Sequence, residues 1–103
     1  MDRVNFRLGK TEIRVNRNGF GALPIQRISE YEAVKLLHKA FDGGITYYDT
    51  ARFYTDSETK LGIAFGGSLR QKVIIASKSM TSNANDFNRD LETTLRNLKT
   101  DYL

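Results

Sequence analysis

The chain has no cysteine, a single proline and a single histidine, and no apolar run that approaches the length of a membrane span. Without cysteine there is neither a disulfide framework nor a thiolate-ligated metal, and no metal site is expected. The first residues, Met1-Asp2-Arg3-Val4-Asn5, lack the apolar core of a secretory leader, so the expected compartment is the cytoplasm, with no membrane partner. Internal repeats and low-complexity tracts are absent too. The lone histidine, His38, falls on the flank of an apolar helical stripe and is expected to be partly exposed, with no role.

What is present fits one small α/β domain. The chain has 103 residues, 40% of them apolar and 27% charged, with a net charge of +4. A chain of this length supports a single domain and a modest core. The basic excess is densest at the start, where Arg3, Arg7, Lys10, Arg14 and Arg17 face only Asp2 and Glu12. A single-stranded nucleic-acid platform interleaves aromatic rings with such charges, and here only Phe6 does so. The cluster therefore reads as a solvated face, and no nucleic-acid partner is expected.

Residues 4–15 read as a β-hairpin, with Val4, Phe6 and Leu8, a turn at Gly9-Lys10, then Ile13 and Val15. A first core strand is expected near residues 18–23, ended by Pro24. Ser29 and Glu32 form an S-x-x-E capping box, and Ala33, Leu36, Leu37, Ala40 and Phe41 recur at helical spacing until Gly43-Gly44. That predicts a helix over 30–42. The β-branched and aromatic run at 45–50 predicts a strand. A second helix is expected over 57–65, capped by Asp56 or Ser57 and carrying Leu61, Ile63, Ala64 and Phe65. The run at 72–78 predicts a parallel strand buried on both faces. A third helix is expected over 86–98, with Phe87, Leu91, Leu95 and Leu98 on one face, and Asp101-Tyr102-Leu103 reads as the opening of another strand.

Strands alternating with helices imply a parallel sheet with right-handed crossovers. In such folds the working residues gather beyond the strand ends, on the loops that enter the helices. Asp49 ends one strand, Lys78 ends the next, and Tyr54 lies on the loop between Asp49 and the second helix. Neighbouring strands stand about 4.8 Å apart, so an acid, a lysine and a tyrosine can meet on one rim. Singly, each has a plainer reading: the aspartate caps a turn, the lysine is solvated and the tyrosine packs.

The pattern Asp49-Thr50-Ala51, Tyr54, Ser57-Glu58, Leu61-Gly62 resembles the D-T-A-x-x-Y-x-x-S-E-x-x-L-G signature of aldo/keto reductases. Gly19-Phe20-Gly21 is similar to that family's first strand, and Asp42-Gly43-Gly44-Ile45 to its entry into the second. Val73-Ile74-Ile75-Ala76-Ser77-Lys78 is similar to its third strand, and the stretch from Leu91-Glu92 to Asp101-Tyr102-Leu103 to a later signature. The resemblance covers nearly the whole chain in order. It implies the N-terminal part of a (β/α)8 TIM barrel behind an N-terminal hairpin. It also implies reduction of aldehydes or ketones by a nicotinamide cofactor, NADPH by the family's habit and NADH as the other option. Asp49, Tyr54 and Lys78 match three members of the family's catalytic tetrad, whose histidine would lie beyond Leu103. Gly21, Ala22 and Leu23, with Asp49, match positions that line the nicotinamide end. The sequence departs from the pattern at Thr55, where many members carry glycine, and Pro24-Ile25-Gln26-Arg27 resembles a bacterial branch that adds a C-terminal iron–sulfur domain.

In the chemistry this resemblance implies, a tyrosine hydroxyl supplies a proton to a small carbonyl substrate. A phenol ordinarily titrates near pH 10, so a tyrosine in this role needs a neighbouring cation, and a cation acts strongly only in a closed pocket. A closed barrel takes about 250 residues. The chain as given is therefore expected to be a truncated barrel with negligible activity by itself. Its open edge at 73–76 invites self-association. The alternative is a non-catalytic remnant that self-associates or pairs with another chain.

Overall fold

A computed structural model of the protein describes residues 4–103. Arg3, one of the N-terminal basic residues, lies outside the described residues together with Met1 and Asp2.

The hairpin forms from β1 (Asn5–Arg7) and β2 (Arg14–Asn16), antiparallel, with Phe6 opposite Val15 and Arg7 opposite Arg14. Its turn is closed by the Leu8 N–H on the Ile13 carbonyl (2.8 Å) and by the Thr11 hydroxyl on the Leu8 carbonyl (2.6 Å). The basic residues are solvated, and so is much of the apolar side, because Val4, Phe6 and Leu8 are all exposed.

Behind it lies a parallel sheet in the order β3 (Phe20–Gly21), β4 (Tyr47–Asp49), β5 (Ile74–Ala76). Three helices alternate with these strands: α1 (Glu30–Asp42), α2 (Ser57–Phe65) and α3 (Ala84–Leu98). The Ser29 hydroxyl starts α1 by accepting the Glu32 N–H and donating to the Glu32 carboxylate, each at 3.1 Å. Gly44, at φ +101°, turns the chain from α1 into β4 with a backbone conformation that side chains disfavour.

The sheet is shorter than its sequence suggests, for local reasons. The Asn16 side chain accepts the Asn18 N–H at 2.9 Å, which curls the chain before β3, and Leu23 begins a 3-10 turn over Pro24–Arg27. Ahead of β5, residues Gly67–Lys72 form another 3-10 turn, and the Arg70 guanidinium caps the Val73 carbonyl at 2.9 Å. Pairing does continue past the regular strands, since the Arg52 N–H bonds the Lys78 carbonyl at 2.9 Å.

Phe20, Tyr48 and Ile75 are in register on one face of the sheet and pack against the helices. Tyr48 meets Phe65 of α2 with ring centroids 4.6 Å apart. Burying side chains such as Leu61 and Phe65 stabilises the layer by about 1.5–3 kcal/mol each. The other face carries Tyr47, Asp49, Ile74 and Ala76, and these are only half-buried. The β5 run is thus buried on one face, not two, because nothing among the described residues covers the far side.

Three further expectations are corrected. The α3 helix starts two residues early, because Asn83 caps it by accepting the Asp86 N–H at 2.9 Å. Its buried residues are Thr94 and Leu98, while Phe87 is exposed; the tight backbone contact with Gly62 of α2 falls at the last turn of α3, about three turns from Phe87. The segment Asp101-Tyr102-Leu103 is not a strand. Arg70 engages it instead, donating to the Tyr102 carbonyl at 2.7 Å and stacking 3.9 Å over the Tyr102 ring. His38 is partly exposed, as expected, and its Nε2 lies 2.7 Å from the Ala64 carbonyl, which ties α1 to α2. Lys60 is almost wholly buried and spends its ammonium on the Ile25 carbonyl (2.9 Å), the Ile28 carbonyl (2.7 Å) and Asp56 (3.0 Å).

Candidate active site

Asp49 is the last residue of β4, and Lys78 follows β5 by two residues. Because the strands are parallel and in register, both side chains emerge at the same end of the sheet. Lys78 Nζ donates to Asp49 Oδ2 at 3.1 Å and to the Thr50 carbonyl at 2.7 Å. It also stands 5.1 Å from the centroid of the Tyr54 ring. The structure therefore brings Asp49, Tyr54 and Lys78 to one rim.

Tyr54 reaches that rim on a short turned loop. Its N–H bonds the Ala51 carbonyl at 3.2 Å, and its own carbonyl accepts the Ser57 N–H at 2.8 Å. Thr55 follows at φ +37°, in the left-handed region a β-branched residue seldom adopts. Its hydroxyl donates to the Gln26 side chain at 2.9 Å, which links the loop to the turn after β3. This hydrogen bond offsets part of the strain.

Gly21 is in register with Asp49, and the Ala22 N–H bonds the Asp49 carbonyl at 2.9 Å. A Cβ on Gly21 would meet nothing within 4 Å, so the backbone beside Asp49 faces open space. Ala22 is buried and Leu23 is exposed beside it. Beside Gly21 this strip leaves open room. The mouth is wet, however, with the Lys78 and Asp49 side chains 44% and 43% exposed.

Two residues at the start of α2 matter more than their side-chain types suggest. The Ser57 hydroxyl donates to the Ala22 carbonyl at 2.9 Å and shares a hydrogen bond with Thr50 at 2.8 Å. Glu58, 1% exposed, accepts from Arg52, from Ser77 (2.8 Å), from Thr94 (2.5 Å) and from Asn97 (3.3 Å). One turn of helix thus gathers the ends of all three parallel strands. The sequence pattern gives Ser57 only a candidate helix-capping role and Glu58 none, yet a signal exists: Glu58 lies three and seven residues before Leu61 and Phe65, on the buried stripe.

Burial pushes the Tyr48 hydroxyl up to about 12, and the group donates to the Ile45 carbonyl at 2.7 Å. Burial also lowers the Arg70 guanidinium from its ordinary value, with Tyr102 and Asp101 pulling the other way.

A partial barrel of alternating strands and helices, with an aspartate, a tyrosine and a lysine on the rim beyond the strands, defines a class of α/β scaffold. Residues 17–103 match the sequence model of the aldo/keto reductase family. The chain is 31% identical to the oxidoreductase YrpG of Bacillus subtilis over 119 aligned positions, covering 93% of this chain and 36% of that protein. It is 30% identical to the L-galactose dehydrogenase of Arabidopsis thaliana, covering 100% of this chain and 37% of the relative. The aldo-keto reductase of Klebsiella pneumoniae in complex with NADPH superposes with a TM-score of 0.86 at 30% identity, over 100% of this chain and 38% of the other. The holo form of the aldo-keto reductase AKR11C1 of Bacillus halodurans gives 0.82 at 26% identity, over 96% and 37%. The chain belongs to the aldo/keto reductase family, and its fold is part of that family's barrel. It spans little more than a third of the length of these relatives.

Proposed function

We propose that this chain carries the acid–base side of a carbonyl-reductase mouth, which converts small aldehydes or ketones to alcohols with NADPH, or NADH as the less favoured choice. The observation that carries the reading is the Lys78 ammonium, held by Asp49 and standing over Tyr54 on one rim. The NADPH bound by the Klebsiella relative supports the cofactor choice.

The strip Gly21-Ala22-Leu23, with Asp49, would line the nicotinamide end, and the open side of Gly21 leaves room for it. When bound there, a reduced nicotinamide would supply the hydride for the carbonyl carbon. As the oxygen gains negative charge, the Tyr54 hydroxyl gives it a proton, and the product is the alcohol. The phenolate left behind is stabilised by the Lys78 ammonium. Asp49 keeps that ammonium aimed. Two unit charges about 4 Å apart interact by about 4 kcal/mol near a protein surface, but by only about 1 kcal/mol in bulk water. A mouth as exposed as this one sits toward the weaker limit, so turnover needs further polypeptide closing over the rim.

The test follows NADPH absorbance with a small aldehyde, for the 103-residue chain and for any longer natural product containing it. Negligible turnover by the short chain and steady turnover by a longer product are expected. A longer product with an intact fold and no turnover on any aldehyde or ketone would remove the reductase reading.

A second reading rests on the one-sided burial of the sheet. The half-open face of Tyr47, Ile74 and Ala76, and the exposed Val4, Phe6 and Leu8, suit a partial barrel that associates with another chain. Sedimentation at rising concentration tests it, and a monomer throughout argues against self-association.

A further inference from the structure

We propose that Glu58 is the positioning residue of this mouth: it holds Tyr54 and Lys78 in register by gripping the segment in front of each. Its effect on turnover rests on the reductase reading, but its effect on geometry does not.

A carboxylate offers about four lone-pair sites, and Glu58 has all four engaged. On one side its donors are Arg52 and Ser77. Arg52 precedes Tyr54 by two residues, and Ser77 is bonded directly to Lys78. The Arg52 N–H also bonds the Lys78 carbonyl at 2.9 Å. Glu58, Ser77, Lys78 and Arg52 therefore close a ring of covalent and hydrogen bonds, and the Tyr54 loop hangs from it. On the other side Thr94 and Asn97 of α3 anchor the carboxylate, so the grip is referred to the helix layer. A buried ionised carboxylate needs a cation or several donors, and among the described residues its only charged donor is Arg52. Removing the charge releases Arg52 first, and with it the loop that carries Tyr54.

A purely structural Glu58 would join α2 to α3 and leave the mouth indifferent to it. The two roles separate in NMR of isotope-labelled tyrosine, with the Tyr54 signal assigned by its loss in Tyr54→Phe. In Lys78→Met the ammonium over the ring is gone, and the displaced Tyr54 signal marks the unpaired state. Glu58→Gln keeps the shape of the side chain and turns an acceptor toward donors as a second donor. Its Tyr54 signal is expected to move most of the way to the Lys78→Met position. The control Ala33→Gly weakens α1, far from this ring, and is expected to lower the melting temperature with Tyr54 unmoved. An unmoved Tyr54 in folded Glu58→Gln, or an equal movement in Ala33→Gly, overturns the proposal. Should Glu58→Gln fail to fold, Ser77→Ala cuts the same ring at a milder point, and an unmoved Tyr54 there overturns it equally. In a reductase-competent product Glu58→Gln is further expected to lower kcat by about 10-fold to 10²-fold with KM little changed, as a small misplacement does. If the wild-type product reduces no carbonyl, the reductase reading fails and the NMR comparison still decides this one.

Discussion

The Lys78 ammonium stands over the face of the Tyr54 ring, 5.1 Å from its centroid, while its hydrogen bonds go to Asp49 and the Thr50 carbonyl. The lysine is thus held by Asp49 and Thr50 with its ammonium facing the ring. Lys78→Met in a reductase-competent product should lower kcat by about 10²–10⁴-fold, the usual contribution of acid–base assistance. The fold should barely notice, since an ion pair this exposed contributes about 0–1 kcal/mol. Steady-state kinetics beside a thermal melt checks both halves, and an unaltered kcat would take Lys78 out of the chemistry.

Gly62 of α2 is where two helices nearly touch. A Cβ there would stand 2.1 Å from the Asn97 carbonyl oxygen and 3.0 Å from the Leu98 backbone. Helix backbone cannot yield as a flexible side chain can, so Gly62→Ala must push α3 away from α2. Because the clash is with backbone, its cost should reach about 3 kcal/mol or more and outweigh the roughly 1 kcal/mol that alanine gains in helix propensity. A denaturation midpoint at or above wild type would contradict this.

Tyr48 links stability to alkaline pH. Its hydroxyl titrates near 10 when unfolded and is pushed up to about 12 in the fold. Between those values the unfolded chain loses a proton that the native state keeps, so stability falls as pH rises through that window. Below pH 10 the contribution is fully present. Two units correspond to roughly 3 kcal/mol at the upper end. Tyr48→Phe should flatten the slope of urea stability between pH 10 and 12 while costing the hydrogen bond to Ile45. An equal slope in both proteins would place the titration elsewhere.

Helices were the most legible part of this fold, because their ends are written in short range. Ser29 with Glu32, then Gly43-Gly44, delimit α1 by local chemistry alone, and α2 runs over the expected residues 57–65. Strand limits were less legible, because they depend on who caps a carbonyl. Arg70 takes the Val73 and Tyr102 carbonyls, and no local pattern announces that choice. The meeting of Asp49, Tyr54 and Lys78 on one rim followed from parallel topology and strand ends. The grip of Ser57 and Glu58 was missed, although helical spacing from Leu61 and Phe65 already pointed Glu58 inward.

Lys60 carries a last consequence. With all three ammonium hydrogens committed to Ile25, Ile28 and Asp56, and the side chain out of water, it has no lone pair to offer an electrophile. An amine-reactive label should decorate the exposed lysines of the folded protein and pass this one by. Enzymatic acylation would meet the same barrier. Labelling of Lys60 would then report that the turn after β3 has come away from α2, a local opening that a global melt would average out.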